Sequence, residues 1–486
     1  MEPKILGCVS DNIFTGQDDG SMRTLNDILS EVLTQGGDNP AISYSEKGGE
    51  YSLSFLELYK KAKALAGWMT ENLSKGIGIG ILGDNCAEWI IIYFAALFSG
   101  NMAVLMDKTA RGEALRLEAE LSGASVFFAG KDYQSILSEA CGEAECYTFE
   151  RMEALCGAQE GSFALSDDAP AIVFFSSGTT GRQKAVMIKR KQLGERLILN
   201  RNAFSYPKEN LLVLPLYHSY GQDVAMGTLF QGKCLYLSKS QKYFLRDIKA
   251  KKPAMLSLVP SQAEMLLDFQ DKEDEKSLLT HIMLASAKVE EPLKLRMKKQ
   301  GITHIALYGS SETGTVSVGE EDEISSGFAG RILDGFEIRL SDADSSGAGE
   351  IFIKSPGHFS SYLGEEAAEI LSGDWIRTGD IGRLDEGNRL FITGRAKNVI
   401  ILPNGEKISP ELIEEKLLEI SGIFECMVFE KNGRLAVEIY AKESGREALG
   451  AGIRRINSGL SLYQQINEVV FRDEPFEKTT LGKKKR

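Results

Sequence analysis

Ile172-Val173-Phe174-Phe175-Ser176-Ser177-Gly178-Thr179-Thr180-Gly181-Arg182-Gln183-Lys184 is the stretch around which the rest of the chain falls into place. Its first four residues are β-branched or aromatic and describe a buried strand. The strand empties into a loop of hydroxyls and glycines that closes on a lysine. Glycine lets the backbone turn its N–H groups toward an anion, hydroxyls add donors and lysine adds charge. That is phosphate-binding chemistry. It is not a Walker loop, which needs Gly, four residues and then Gly-Lys-Ser/Thr. Here Lys184 follows Gly181 by three and precedes Ala185. The competing reading is a plain surface turn, and hydroxyls at 176, 177, 179 and 180 directly after a strand argue against it.

Outward from this loop, residues 76 to 310 alternate short apolar runs with amphipathic stretches. Strands are expected at 79–82, 102–105, 125–128, 172–175, 211–214, 234–237, 255–259, 282–284 and 305–307, with helices at 86–98, 113–121 and 261–269. Such alternation means βα units in mostly parallel sheets with helices on both faces. Beyond residue 320 the texture changes to short alternating strands at 337–340, 350–354 and 389–393, divided by turns such as Asp344-Ser345-Ser346-Gly347-Ala348-Gly349. A small antiparallel or barrel-like subdomain is expected over about 320–394. A last mixed unit follows, with the boundary at 395–397. Ser409 should cap its first helix, with Pro410 in the first helical position and Glu411, Glu414 and Glu415 at its positive end. The fold class is therefore α/β. Residues 1–394 hold two doubly wound subdomains and the β-rich one, and 395–486 form a small α+β unit.

The bulk numbers agree. A chain of 486 residues is too long for one core, since single cores stop growing at roughly 250–300 residues. With 56 basic against 69 acidic residues the net charge is −13, which argues against nucleic acid as a partner. The seven cysteines make no CxxC pair and there are four histidines, so neither a zinc site nor a disulfide framework is expected. Residues 89–106 are apolar enough to suggest a membrane span, but Ser99-Gly100-Asn101 reads as a turn between a buried helix and a buried strand. No secretory leader is visible, and a cytoplasmic protein without an integral membrane segment is expected.

The phosphate loop resembles that of the adenylate-forming, AMP-binding superfamily of acyl-CoA synthetases, adenylation domains and luciferases. Five further motifs follow in family order. Leu214-Pro215-Leu216-Tyr217-His218-Ser219-Tyr220-Gly221 is similar to the head of the acid pocket in acid–CoA ligases. Leu307-Tyr308-Gly309-Ser310-Ser311-Glu312-Thr313-Gly314 is similar to the adenine and magnesium motif, and Trp375-Ile376-Arg377-Thr378-Gly379-Asp380 to the ribose motif. Gly394-Arg395-Ala396-Lys397-Asn398 resembles the hinge, and Lys478-Thr479-Thr480-Leu481-Gly482-Lys483 the C-terminal lysine loop.

The resemblance implies roles. Ser176, Ser177, Gly178, Thr179, Thr180, Gly181 and Lys184 would cradle the ATP phosphates, and Ser311 would meet the α-phosphate. Glu312 would hold Mg²⁺; one carboxylate suffices because magnesium keeps most of its ligands as water and phosphate oxygen. Tyr308 with Gly309, Ala287 and Lys288 would border adenine, while Asp380 and Arg395 would grip the ribose. Lys483 would bridge carboxylate and α-phosphate, Lys397 would be the pivot on which residues 395–486 turn as a small mobile α+β lid, and His218 would gate the route to the thiol. Read without the family, Lys483 among four basic terminal residues is a solvated tail and His218 a core residue. Two departures stand out. The usual Pro-Lys-Gly is Gln183-Lys184-Ala185, and the usual Gly-Gly-Ala-Pro under adenine is Ala285-Ser286-Ala287-Lys288, where side chains would either tighten the pocket or weaken nucleotide binding.

The activity implied is ATP- and magnesium-dependent conversion of a carboxylic acid to acyl-AMP, then thioester formation with coenzyme A. Two alternatives remain: loading onto the phosphopantetheine of an acyl carrier protein, and a non-catalytic nucleotide- or acyl-binding sensor. Ser219, Tyr220, Val224, Gly309, Thr315 and Val316 would line the acid pocket, and Gly227, on the helical face of Tyr220 and Val224, would leave it depth. Adenylation domains for α-amino acids carry an aspartate where this chain has Ser219, which cannot neutralise an ammonium. An acyl or aryl acid, as in fatty acid metabolism, is expected. Asp223, four residues on, is the one datum against this.

Overall fold

The computed structural model describes residues 23–46, 49–142, 144–156, 166–177, 183–271, 278–321, 325, 327–344, 346–363, 370–402, 407–441, 446–460 and 464–477. The described residues form five sheets. In the first, the strands Glu145–Thr148, Ala124–Ala129, Gly78–Leu82, Met102–Leu105 and Pro170–Ser177 run parallel in that spatial order. Pro170–Ser177 then turns back antiparallel into Gln183–Lys189, and Ser361–Leu363 closes that edge. Helix Ala87–Phe98, apolar at every position but Glu88 in its first turn, packs against this sheet with eleven buried residues, which is why a stretch so nearly hydrophobic on every side is stable here. A four-stranded sheet holds Gly49–Ser54, Pro40–Glu46, Cys234–Leu237 and Glu209–Leu212.

The third sheet departs from expectation. Met255–Leu258, His281–Leu284 and Thr303–Ser310 are parallel, as their apolar runs predict. Of the two forms expected for the β-rich segment, antiparallel or barrel-like, the antiparallel one is found, joined to the parallel strands. Gly314–Glu320 pairs antiparallel with Thr303–Ser310, and Phe328–Ile332, Arg389–Arg395, Trp375–Leu384, Gly349–Lys354 and Glu337–Ser341 continue the same ten-stranded sheet. The edge of Thr303–Ser310 needs a partner for its N–H and C=O groups, and the next strand in sequence supplies it. Alternation along these strands was legible; which strand continued which was not.

The C-terminal unit pairs Ile423–Lys431, Arg434–Ala441 and Ile466–Arg472. Helices Pro410–Leu418 and Arg446–Ser458 cover them over a core of their own that includes Ile413, Leu417, Val428, Val437, Leu449 and Ile453. Pro410 does take the first helical position, but Ser409 makes no side-chain capping bond. Its Cβ instead lies against Gly394, where an added methyl would stand 3.3 Å away. The structure adds N-terminal helices Leu25–Gln35 and Phe55–Asn72, each opened by a capping box, Thr24 with Asp27 and Ser54 with Glu57. No described helix is long and apolar enough to cross a membrane.

Because Leu417 is wholly buried in the C-terminal core, Leu417→Ala should cost that unit about 2–5 kcal/mol. Calorimetry should then record an earlier transition for residues 395–486 while the main transition moves little. A single transition shifted as a whole would mean that the two cores melt as one.

Candidate functional site

The strands on either side of the candidate phosphate loop, Pro170–Ser177 and Gln183–Lys189, pair antiparallel. Ser176 lies opposite Lys184 and Ser177 opposite Gln183 on antiparallel strands. Gly178, Thr179, Thr180 and Gly181 lie outside the described residues, as does Lys483. The Lys184 ammonium stands 4.6 Å from the centre of the Tyr362 ring, a cation–π contact. The Tyr362 hydroxyl in turn donates to Glu312 Oε1 at 2.8 Å. Tyr362 escaped the sequence reading because it is 50 residues from Glu312 in a stretch without a motif; the short strand Ser361–Leu363, paired with Gln183–Lys189, carries it in.

Glu312 sits in the turn of the hairpin at which the third sheet changes from parallel to antiparallel. Ser310 and Thr313 tie the turn, since each side-chain oxygen accepts from the other's backbone N–H at 3.2 and 3.0 Å. The Glu312 carbonyl accepts from Phe359 N at 2.7 Å. Ser311 Oγ donates to Ser219 Oγ at 3.0 Å, so the motif turn touches the first residue of helix Ser219–Phe230. Gly309 lies at a pairing irregularity just before the turn.

The ribose motif and the hinge also meet. Asp380 and Arg395 are cross-strand partners, with Nε and Oδ1 2.7 Å apart, and the Tyr308 hydroxyl donates to Asp380 Oδ2 at 2.7 Å. Burial first, then the Asp380 carboxylate, pushes the Tyr308 hydroxyl well above the usual tyrosine value, so it stays a donor. Lys397 follows in the turn Ala396–Asn398, where partial burial and then Arg395 hold its ammonium below the usual lysine value. Ala287 and Lys288 lie in the loop after His281–Leu284. Ser286 is left-handed there with φ 72°, a conformation that costs a side chain about 1 kcal/mol and suits the glycine it replaces. The Lys288 ammonium pairs with Glu415 of the C-terminal unit at 3.2 Å.

The residues expected to line an acid pocket do not all share one cluster. Tyr220 is fixed by its hydroxyl to the Met283 carbonyl at 3.1 Å, and Val224 is buried in the same cluster. Thr315 and Val316 are neighbours on one strand and therefore face opposite sides. Val316 belongs to the core under the antiparallel half, with Ala329, Ile332, Ile351, Ile353 and Leu390, and not to the cluster of Tyr220 and Val224. Gly227 gives no open depth either. A Cβ there would lie 2.7 Å from the ring of Tyr206, which fills the space. Asp223 is already neutralised: both its oxygens are taken by Arg196, Nε to Oδ1 at 3.1 Å and Nη2 to Oδ2 at 3.0 Å. No pattern in the sequence marks Arg196 or Tyr206.

Residues 29–363 match the family model described as AMP-binding enzyme. The 2-succinylbenzoate–CoA ligase of Lactococcus lactis subsp. lactis (strain IL1403) is 25% identical, covering 89% of this chain and 94% of that protein. Acyl-CoA synthetase 7 of Caenorhabditis elegans is 26% identical, over 90% and 89% respectively. The structure of o-succinylbenzoate CoA synthetase (MenE) from Bacillus subtilis in complex with the acyl-adenylate intermediate OSB-AMP superposes with a TM-score of 0.80 at 22% identity, over 94% of this chain and 96% of that one. The last likeness establishes a shared α/β fold.

His218 precedes helix Ser219–Phe230 and packs its ring 4.4 Å from that of Tyr217. It is half-buried by surface, but the protein packed around it pushes its imidazole below the usual value, against the opposing pull of Asp107. A folded value below the unfolded one, about 6.5, stabilises the fold fully above that pH and loses the contribution as pH falls. Wild-type Tm should therefore drop more between pH 7.5 and pH 5.5 than the Tm of His218→Gln. Equal drops would mean that His218 titrates as a solvated residue.

Proposed function

The chain belongs to the AMP-binding enzyme family, and on that premise we propose that it is an acid–thiol ligase that activates a carboxylic acid with ATP and passes the acyl group to coenzyme A. In the first step a carboxylate oxygen attacks the α-phosphorus, the bond to the bridging oxygen breaks, and pyrophosphate leaves. In the second, a thiolate attacks the acyl carbon and AMP leaves. The observation that carries the reading is the convergence of Tyr308, Asp380, Arg395, Glu312, Ser311 and Lys184, drawn from four separate motifs, on one end of the third sheet and the hairpin beside it. The relatives named as CoA ligases supply the acceptor.

The chemistry brings a carboxylate against a polyanion, so cations and oriented donors must stand where charge gathers. Lys184 would supply charge at the outer phosphates, Ser311 a donor at the α-phosphate, and Asp380 with Arg395 a grip on the ribose. One carboxylate oriented by a tyrosine hydroxyl fits a magnesium ion that keeps water and phosphate oxygens as its other ligands. When bound, magnesium would neutralise phosphate charge. Lys483 would meet the carboxylate and α-phosphate. The unit 395–486 would act as a lid turning at Lys397, for which its separate core, the Asn398 to Glu411 hydrogen bond at 2.7 Å and the Lys288–Glu415 pair are the support. With ATP and CoA as co-substrates, the cytoplasm is the place of action.

The acid carries no ammonium, since Asp223 is committed to Arg196 and Ser219 is neutral. Its tail, aliphatic or aryl, ends at Tyr206. Acid-dependent exchange of pyrophosphate into ATP across short, medium and long fatty acids, aryl acids and amino acids tests this, followed by transfer to CoA and to a carrier protein. We expect turnover of a short or ring-bearing acid, and Tyr206→Ala should extend the range toward longer chains; robust turnover of an amino acid, lost in Asp223→Asn, would reverse the assignment. Exchange with no acid at all active would favour a binding-only sensor.

Lys483→Ala should abolish pyrophosphate exchange yet leave transfer from synthetic acyl-adenylate to the thiol largely intact. Equal loss of both half-reactions would sink the role given to this lysine.

A further inference from the structure

We propose that Arg196 is the positioning residue of the first half-reaction, locking the Ser310–Thr313 turn to the acid-pocket helix; this rests on the functional reading above. Arg196 lies in helix Arg190–Ala203 and is 3% exposed. Its guanidinium is used on two sides. Nε and Nη2 take both oxygens of Asp223, on helix Ser219–Phe230, while Nη1 donates to the Ser311 carbonyl at 2.8 Å. Ser311 Oγ returns to the same helix through Ser219. Helix and turn are therefore tied twice, once by the hydroxyl pair and once through Arg196.

The surroundings are shaped around this side chain. Its guanidinium carbon stands 5.5 Å from the centre of the Phe174 ring, on the strand that runs into the phosphate loop. Gly314 ends the turn at φ 71°, and a Cβ there would lie 3.1 Å from Arg196 Nε. A Cβ on Gly357 would lie 2.8 Å from Arg196 N, and two residues later Phe359 N donates to the Glu312 carbonyl. One residue thus borders the phosphate strand, the acid-pocket helix, the magnesium turn and the segment that braces it. Buried as it is, with its donors on Asp223 and the Ser311 carbonyl, it acts through Ser311 and Glu312. A rigid planar fork meets these acceptors in fixed directions, whereas a lysine ammonium retains the charge pair with Asp223 but not the simultaneous bond to Ser311.

Full-length Arg196→Lys, measured by acid-dependent pyrophosphate exchange, should lose about 10- to 100-fold in kcat, the scale of a displacement near 1 Å at a reacting centre. KM for the acid should stay within about twofold, and transfer from synthetic acyl-adenylate to the thiol should remain near wild type. Should that variant fold poorly, Arg196→Met with Asp223→Leu removes both charges together, which folds tolerate better than losing one partner. This folded double variant must show the same split. Wild-type kcat in either variant, or loss spread equally over both half-reactions, overturns the positioning role while leaving the functional reading intact. A wild-type chain silent toward every acid overturns both.

Discussion

Strand Thr303–Ser310 bonds on one side to a parallel neighbour and on the other to an antiparallel one, and the site depends on that double pairing. The parallel bonds bring the carboxyl ends of Met255–Leu258, His281–Leu284 and Thr303–Ser310 to one edge. The antiparallel bonds force a tight turn immediately beyond, so residues 310–313 sit at that edge rather than in a long crossover. The same ladder, continued through Phe328–Ile332 and Arg389–Arg395 to Trp375–Leu384, carries Arg395 and Asp380 to the Tyr308 hydroxyl. Residues 72 positions apart meet because backbone hydrogen bonds must be completed strand by strand.

Charge is handled locally and in pairs. Asp380 with Arg395, Asp223 with Arg196, and Lys288 with Glu415 each set a carboxylate against a cation before any substrate arrives. The buried Arg196–Asp223 pair gains its worth from geometry more than from net stability, because desolvating two ions offsets much of their attraction. Lys184 also rests over the Tyr362 ring, a cation–π contact.

Between the C-terminal unit and the rest, Gly394 packs under Ser409 and Glu411, and Lys288 reaches Glu415. These are polar contacts on one face of helix Pro410–Leu418, whereas the unit's apolar residues face its own sheet. Contacts of that kind are exchanged more readily than an apolar interface.

The sequence by itself determined the local chemistry: the apolar periods that make strands and helices, the loop of hydroxyls and glycines, and the order of six motifs. These are legible because periodicity and turn chemistry depend on near neighbours along the chain. Tertiary structure alone decided that the β-rich strands extend the parallel sheet and that Tyr206 fills the space above Gly227. It also decided that Val316 belongs to another core, that Asp223 is spent on Arg196, and that Tyr362 braces Glu312. Each of those outcomes sets a side chain against a partner far away in sequence. Which partner arrives is chosen by packing volume and by the need to satisfy buried charge, quantities that exist only once the chain has closed on itself.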